Sequence, residues 1–163
     1  MTLVTDTVTP TQTSDADLGS ALESIRAVAL STGLAYAGAV PPTLAWELFN
    51  AKEAMLVDVR TAEERKFVGH VPGSVHVPWA TGTSLTRNPR FVRELEAKTG
   101  KQATVLLLCR SGKRSVLAAE AAAQAGFTRV FNILEGFEGE LDDKQQRGGQ
   151  DGWRHQGLPW VQD

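Results

Sequence analysis

The single cysteine of the chain, Cys109, stands where a sulfur nucleophile could work. It follows the most apolar run of the sequence, residues 104–108, and precedes a segment of helix-forming composition, residues 113–125. In open α/β sheets, ligands bind just beyond the carboxyl ends of the strands. A lone cysteine is most often an inert, buried apolar side chain, but its place between a strand and a helix makes Cys109 a candidate nucleophile.

The residues that follow Cys109 favour an anion. Three cations lie within five residues of the sulfur: Arg110, Lys113 and Arg114. Gly112 permits a tight turn, and the backbone N–H groups at the start of the next helix attract negative charge. Helix N-termini and nearby cations also stabilise a thiolate. The loop therefore predicts a reactive thiolate in an anion-binding cradle.

The elements around this loop predict an α/β fold. Short apolar runs at 54–59, 74–78, 104–108 and 129–134 are typical of buried strands, and helical patterns cover 62–67, 89–98 and 113–125. Strands that alternate with helices indicate a mostly parallel sheet flanked by helices. We expect residues 80–88 to form a polar loop. Residues 1–36 are predicted to be an N-terminal extension, and residues 41–163 the main domain. Within the extension, residues 1–13 are expected to be a loose tail, followed by one amphipathic helix with Ser14 as its N-cap and Gly33 just after its end.

Composition narrows the function further. The chain has 163 residues, 17 Lys and Arg against 19 Asp and Glu, and a net charge of −2, which argues against nucleic-acid binding. One cysteine excludes an intramolecular disulfide and a cysteine-rich zinc site. The first residues lack the basic start and apolar stretch typical of a secretory signal, so we expect none, and no apolar run is long enough to span a membrane. We therefore expect a cytoplasmic protein with no metal, cofactor or membrane partner.

Four motifs in order resemble the rhodanese-type sulfurtransferases. The loop Cys109–Arg114 resembles the active-site loop of that family, and the other three matches are Leu56-Val57-Asp58-Val59-Arg60, Gly69-His70-Val71-Pro72-Gly73-Ser74 and Gly157-Leu158-Pro159. The resemblance extends over about residues 41–163. It implies a rhodanese-like three-layer α/β fold with a mostly parallel central sheet flanked by helices.

The resemblance also implies a double displacement. The Cys109 thiolate would take the outer sulfur of an anionic donor such as thiosulfate, and the resulting persulfide would pass it to cyanide or a thiol. Donor binding would fall to Arg110, Lys113 and Arg114, and persulfide stabilisation to backbone N–H groups of Ser111, Gly112, Lys113, Arg114 and Ser115. For Asp58 and Arg60 we expect a structural salt bridge, and for His70 a hydrogen bond that fixes its loop.

Alternatives of other classes remain at this point. Cysteine phosphatases share the strand–loop–helix arrangement but need arginine six positions after the cysteine, where this chain has Ser115. A rhodanese-like domain can also be a non-catalytic binding module, although such modules typically lack the cysteine. A third candidate is a sulfur relay fed by a partner protein. The N-terminal helix is expected to pack on the flank of the domain, with a homodimer contact as the alternative.

The chain departs from the family pattern after its last predicted strand. Phe137 stands where a second glycine is usual, and the stretch from Phe137 to Trp153 is longer than expected and rich in polar residues. A polar segment has little to bury. We therefore predict that residues 137–152 form an exposed, mobile insertion near the mouth of the site, and that Trp153 returns to the core.

Overall fold

A computed structural model describes residues 14–163, so the predicted tail at residues 1–13 lies outside it. Within the described part, the helices are α1 (Asp15–Thr32), α2 (Pro42–Asn50), α3 (Ala62–Phe67), α4 (Phe91–Thr99) and α5 (Lys113–Gln124). The strands are β1 (Gly38–Val40), β2 (Met55–Asp58), β3 (Val75–His76), β4 (Ala80–Thr81), β5 (Thr86–Arg87), β6 (Val105–Leu108) and β7 (Val130–Ile133).

The main sheet has five parallel strands in the order β1-β7-β6-β2-β3. This confirms the predicted mixed α/β architecture. Two parts of the sheet assignment were wrong. β1 was not predicted, because three residues beginning with glycine carry little strand signal. The predicted loop at residues 80–88 contains the antiparallel hairpin β4-β5, whose strands of two residues each are too short to leave a pattern.

Alternation along β6 divides the core into two halves. Val105, Leu107 and Cys109 belong to a cluster with residues of α4 and α5, whereas Leu106 and Leu108 belong to a cluster with residues of α1 and α2. Successive side chains of a strand point to opposite faces, so a sheet buried on both faces needs apolar residues at every position. The result is three layers, with helices on both sides of the sheet.

Helix α1 begins and ends where the sequence predicts. The Ser14 side chain accepts a hydrogen bond from the Asp17 backbone N–H, and Gly33 ends the helix with φ of 76°. Leu18 and Leu22 are buried in the same cluster as residues of α2 and the sheet. Helix α1 therefore packs on the domain. Among the described residues, no helix combines the length and the apolar character that a membrane span requires.

The segment after β7 departs from the prediction at its ends. Phe137 is fully buried, and Gly139 and Gly152 are buried as well, so the expectation that residues 137–152 are exposed throughout was wrong. Only the middle of the segment is mostly exposed. An internal hydrogen bond joins this middle part to the buried start of the segment: the Arg147 guanidinium donates to the Gly139 carbonyl over 2.9 Å. Trp153 returns to the core as predicted, with no exposed surface.

A buried ion pair lies at the carboxyl end of β2. The Nε and Nη2 atoms of Arg60 donate to the two carboxylate oxygens of Asp58 over 3.0 and 2.8 Å, and both side chains have no exposed surface. Arg60 Nη2 also donates to the Gly69 carbonyl over 2.7 Å. The Arg60 guanidinium carbon lies 4.2 Å from the centre of the Phe137 ring. One side chain thus joins β2, the loop after α3 and the segment after β7.

Removing Arg60 should strongly destabilise the fold. Arg60→Met leaves the Asp58 carboxylate buried with Arg65 as its remaining cation, so we expect the free energy of unfolding to fall by about 3–5 kcal/mol. Arg65→Met is the matched control, because Asp58 keeps both of its hydrogen bonds to Arg60 in that variant, so the loss should be clearly smaller. Urea denaturation of both variants measures the difference. Equal losses in the two variants would contradict this account.

Candidate active site

Cys109 lies between β6 and α5 with its sulfur turned toward the start of the helix. The Gly112 backbone N–H donates to Cys109 Sγ over 3.1 Å, and Ser115 Oγ lies 3.2 Å from the same sulfur. Gly112 is the N-cap residue of α5 with φ of 95°, and it has no side chain to cap the helix. The Cys109 sulfur serves as a cap instead, since it accepts a hydrogen bond from one of the N–H groups that have no partner within the helix.

The loop that carries Cys109 is held from behind by the segment after β7. The Phe137 N–H donates to the Cys109 carbonyl over 2.7 Å, and the N–H groups of Glu138 and Gly139 both donate to the Arg110 carbonyl. Gly136 makes this approach possible: its φ is 68°, and a Cβ atom there would collide with the Arg110 carbonyl group. The start of this segment therefore lies at the same edge of the sheet as Cys109, as predicted, although the Phe137 side chain packs in the core cluster on the face opposite the Cys109 side chain.

The loop cations differ in how much they are already paired. Lys113 is largely exposed, at 81%, and its Nζ lies 3.9 Å from a carboxylate oxygen of Glu140. Arg110 is partly buried, and its Nε has no hydrogen-bond partner among residues 14–163. Ser111 is buried at the bend of the loop. Lys113 and Arg110 are thus the loop cations that are least engaged with carboxylates in this part of the chain.

Arg114 is engaged with a carboxylate on another element. Its Nη1 and Nη2 donate to the two oxygens of Glu64 over 2.7 and 2.9 Å, so the ion pair joins α5 to the first turn of α3. Burial alone would raise the pKa of Glu64, but the hydrogen bonds and charge of Arg114 outweigh it and hold that pKa below its ordinary value. Burial would likewise lower the pKa of Arg114, and Glu64 more than reverses that effect.

The three remaining predicted residues, Asp58, Arg60 and His70, lie outside the cysteine loop. Asp58 and Arg60 form the expected salt bridge described above. For His70 we expected a hydrogen bond that fixes its loop, and the side chain does not supply one through its buried Nδ1, which has no partner within the described chain. The loop is fixed by the backbone instead: the N–H and carbonyl of His70 pair with the carbonyl and N–H of Val161 over 2.8 and 2.9 Å.

Sequence reasoning missed two polar residues beside the loop. Glu64 belongs to a capping box with Thr61, a local signal that locates the start of α3 but not a contact 50 residues away. Asn132 lies on β7, is 3% exposed, and accepts a hydrogen bond from Ser115 Oγ. A polar residue inside the apolar run of β7 was the only sequence signal for Asn132, and the sequence alone did not reveal its partner.

Comparison with known proteins agrees with this arrangement. Residues 41–141 match the family described as the rhodanese-like domain, so the match ends before the Gly157–Pro159 motif. The uncharacterized protein RP600 of Rickettsia prowazekii is 38% identical over 109 residues, which cover 66% of this chain and 82% of the relative. The chloroplastic thiosulfate sulfurtransferase 16 of Arabidopsis thaliana is 32% identical over 122 residues, 74% of this chain and 89% of that protein.

A solved structure supports the same assignment. The crystal structure of Rv0390 from M. tuberculosis is 45% identical, with a TM-score of 0.71, and the match covers 78% of this chain and 99% of that one. A parallel sheet with this strand order carries the cysteine at the end of its central strand, and both the domain match and the relatives agree with that fold. On this evidence the chain belongs to the rhodanese family.

Proposed function

We propose that the chain is a sulfurtransferase that carries sulfur on Cys109. The observation that supports this most directly is the position of Sγ, which accepts a hydrogen bond from the Gly112 N–H at the start of α5, where the N-cap residue has no side chain of its own. A backbone N–H and a helix N-terminus both favour negative charge on the sulfur. No other thiol is present to compete with Cys109 or to form a disulfide with it within the chain.

The proposed reaction has two displacements. In the first, the Cys109 thiolate attacks the outer sulfur of thiosulfate, so that an Sγ–S bond forms, the donor S–S bond breaks, and sulfite leaves with the electron pair. In the second, cyanide or a thiolate attacks the outer sulfur of the persulfide, and the Cys109 thiolate leaves. Both steps need the sulfur of Cys109 as an anion, which is the state that the Gly112 N–H stabilises.

The distribution of charge bears on donor binding. We assign donor binding to Lys113 and Arg110, because Lys113 is exposed and the Arg110 Nε lacks a partner among the described residues. Arg114 supplies positive charge near the loop, but its guanidinium already makes two hydrogen bonds to Glu64. Its larger contribution is to hold α5 against α3. This revises the equal roles that the sequence predicted for the three cations.

Burial of Cys109 limits how a sulfur acceptor can reach the site. Cys109 is 1% exposed, so an acceptor has little direct access to Sγ. A persulfide would place the reactive sulfur one S–S bond, about 2 Å, beyond Sγ. An outer sulfur directed toward the mouth of the loop would be more accessible than Sγ, which would stay among its hydrogen-bond donors. We infer that the loop protects the thiolate and presents the persulfide.

Replacing the nucleophile should abolish the reaction. Cys109→Ser replaces the thiol with a hydroxyl that forms no persulfide, so we expect thiosulfate:cyanide sulfur transfer to fall to the background rate with the fold unchanged. Initial rates measure the loss of sulfur transfer, and circular dichroism spectra show whether the fold is unchanged. Transfer well above background in this variant would contradict the proposal, as would efficient hydrolysis of an aryl phosphate by the unaltered protein and not by the variant.

The loop cations should separate into a binding and a structural residue. Lys113→Ala removes an exposed charge near the donor, so KM for thiosulfate should rise by up to about fivefold with no change in stability. Lys98→Ala is the control, since Lys98 is an exposed lysine in the last turn of α4, at the opposite end of the sheet. If both variants have the KM of the unaltered protein, Lys113 does not bind the donor.

The Arg114–Glu64 pair should make stability depend on pH. Glu64 has a folded-state pKa below its ordinary value near 4.5, so the pair stabilises the fold above that pH and the stabilisation is lost as pH falls through the folded-state pKa. We expect Arg114→Ala to lower the free energy of unfolding by about 1.5–3 kcal/mol at pH 7, and by less near pH 3. Denaturant unfolding at several pH values tests this. A loss that is the same at both pH values would overturn it.

A further inference from the structure

A buried polar chain extends from the nucleophile into the sheet. Cys109 Sγ lies 3.2 Å from Ser115 Oγ, and Ser115 Oγ is in turn hydrogen-bonded to Oδ1 of Asn132. The three residues come from the end of β6, the first turn of α5 and the middle of β7. Ser115 has no exposed surface and Asn132 is 3% exposed, so water does not compete for these contacts.

The serine in the middle has a single proton to share. In the structure, the Ser115 hydroxyl donates to the Asn132 carbonyl oxygen. An Oγ lone pair is then free to accept a hydrogen bond from the S–H group of a neutral Cys109. If the amide turns by half a rotation, Nδ2 donates to Ser115 Oγ, and the hydroxyl proton is free to point at a thiolate. The two ends of a side-chain amide have nearly the same shape, so both orientations fit the same cavity.

We propose that Asn132 is a positioning residue that sets the direction of this chain and thereby stabilises the thiolate of Cys109. Among residues 14–163, Ser115 is the only side chain that bonds to its amide, so no second hydrogen bond from this part of the protein opposes the rotation. When Cys109 loses its proton to the solvent or the acceptor, the Ser115 hydroxyl and the Asn132 amide turn. No proton moves between the heavy atoms of the chain.

The hydrogen-bonded series Cys109–Ser115–Asn132 stabilises the thiolate state of Cys109 more than the thiol state. A hydrogen bond to a charged acceptor is stronger than one between neutral groups, and buried hydrogen bonds in series polarise one another. Removing the amide therefore raises the energy of the thiolate state more than that of the thiol state. Asn132 deepens the proposed function, on which this inference rests, because both displacements need the thiolate.

The test reads the thiolate directly and does not use sulfur transfer. Because Cys109 is the only cysteine, the absorbance of its thiolate near 240 nm can be followed against pH with Cys109→Ser as the blank. We expect Ser115→Ala to raise the midpoint of this titration by about one to two pH units. Asn132→Leu, which is close in size but has no amide, should raise it by a smaller amount, about half a unit.

A double variant shows whether Asn132 acts on the sulfur through Ser115 or independently of it. With Ser115→Ala already present, Asn132→Leu should shift the midpoint no further, because the link between Asn132 and the sulfur is gone. Asn88→Leu is the matched control: it removes another buried asparagine, one that bonds to the Pro78 carbonyl, and should leave the midpoint unchanged. Asn132→Asp serves if the leucine variant does not fold; its carboxylate, once ionised, only accepts, so the midpoint should rise at least as far.

Two results would overturn the inference. One is an unchanged midpoint in folded Asn132→Leu, or in folded Asn132→Asp where the leucine variant does not fold. The other is a shift of the same size whether or not Ser115 is present, which would mean that Asn132 acts without the serine. Since neither result depends on sulfur transfer, failure of this inference and failure of the proposed function are distinguishable.

Discussion

The loop that carries Cys109 depends on backbone hydrogen bonds from the segment after β7. The N–H groups of Phe137, Glu138 and Gly139 donate to the carbonyls of Cys109 and Arg110, which fixes the loop from the side opposite its helix. This contact needs glycine at position 136, where a Cβ atom would lie 2.5 Å from the Ser111 nitrogen. A loop held in this way can keep its N–H groups turned toward the sulfur without reorganisation during the reaction.

The same contact connects the site to the core. Phe137 is fully buried, and its ring packs against the guanidinium of Arg60, which is held by Asp58 at the end of β2. The Trp160 ring meets the Phe137 ring edge to face from the C-terminal segment. The Phe137 residue therefore connects the buried Asp58–Arg60 ion pair to the cysteine loop, through its ring on one side and its backbone N–H on the other. This explains why Phe137 is part of the core at a place where the sequence suggested an exposed insertion.

The sequence was most informative where the signal is local. The position of Cys109 after the apolar run 104–108, the three cations and Gly112 can all be found without a structure, because strand, turn and helix start are each local patterns. The ends of α1 were predictable for the same reason, since Ser14 and Gly33 are local caps. The mostly parallel sheet followed from the alternation of strands and helices.

What could not be predicted depends on contacts between distant parts of the chain. The Arg114–Glu64 pair joins residues 50 positions apart, and it decides which loop cation remains exposed. The contact between Ser115 and Asn132 depends on the packing of α5 against β7. The hairpin β4-β5 has two residues in each strand, too few for a period of two to be recognised. Each of these features arises from tertiary packing, which local patterns do not encode.

The most direct measurement of the central claim is the intact mass of the protein after incubation with thiosulfate and removal of the excess. The account predicts a gain of one sulfur atom, located on the peptide that contains Cys109 and lost after addition of cyanide or a thiol. Cys109→Ser should gain nothing under the same conditions. An unmodified Cys109 in the folded protein at saturating thiosulfate would contradict the claim that thiosulfate loads this cysteine, and sulfur on Cys109 that cyanide and thiols cannot remove would contradict the second displacement.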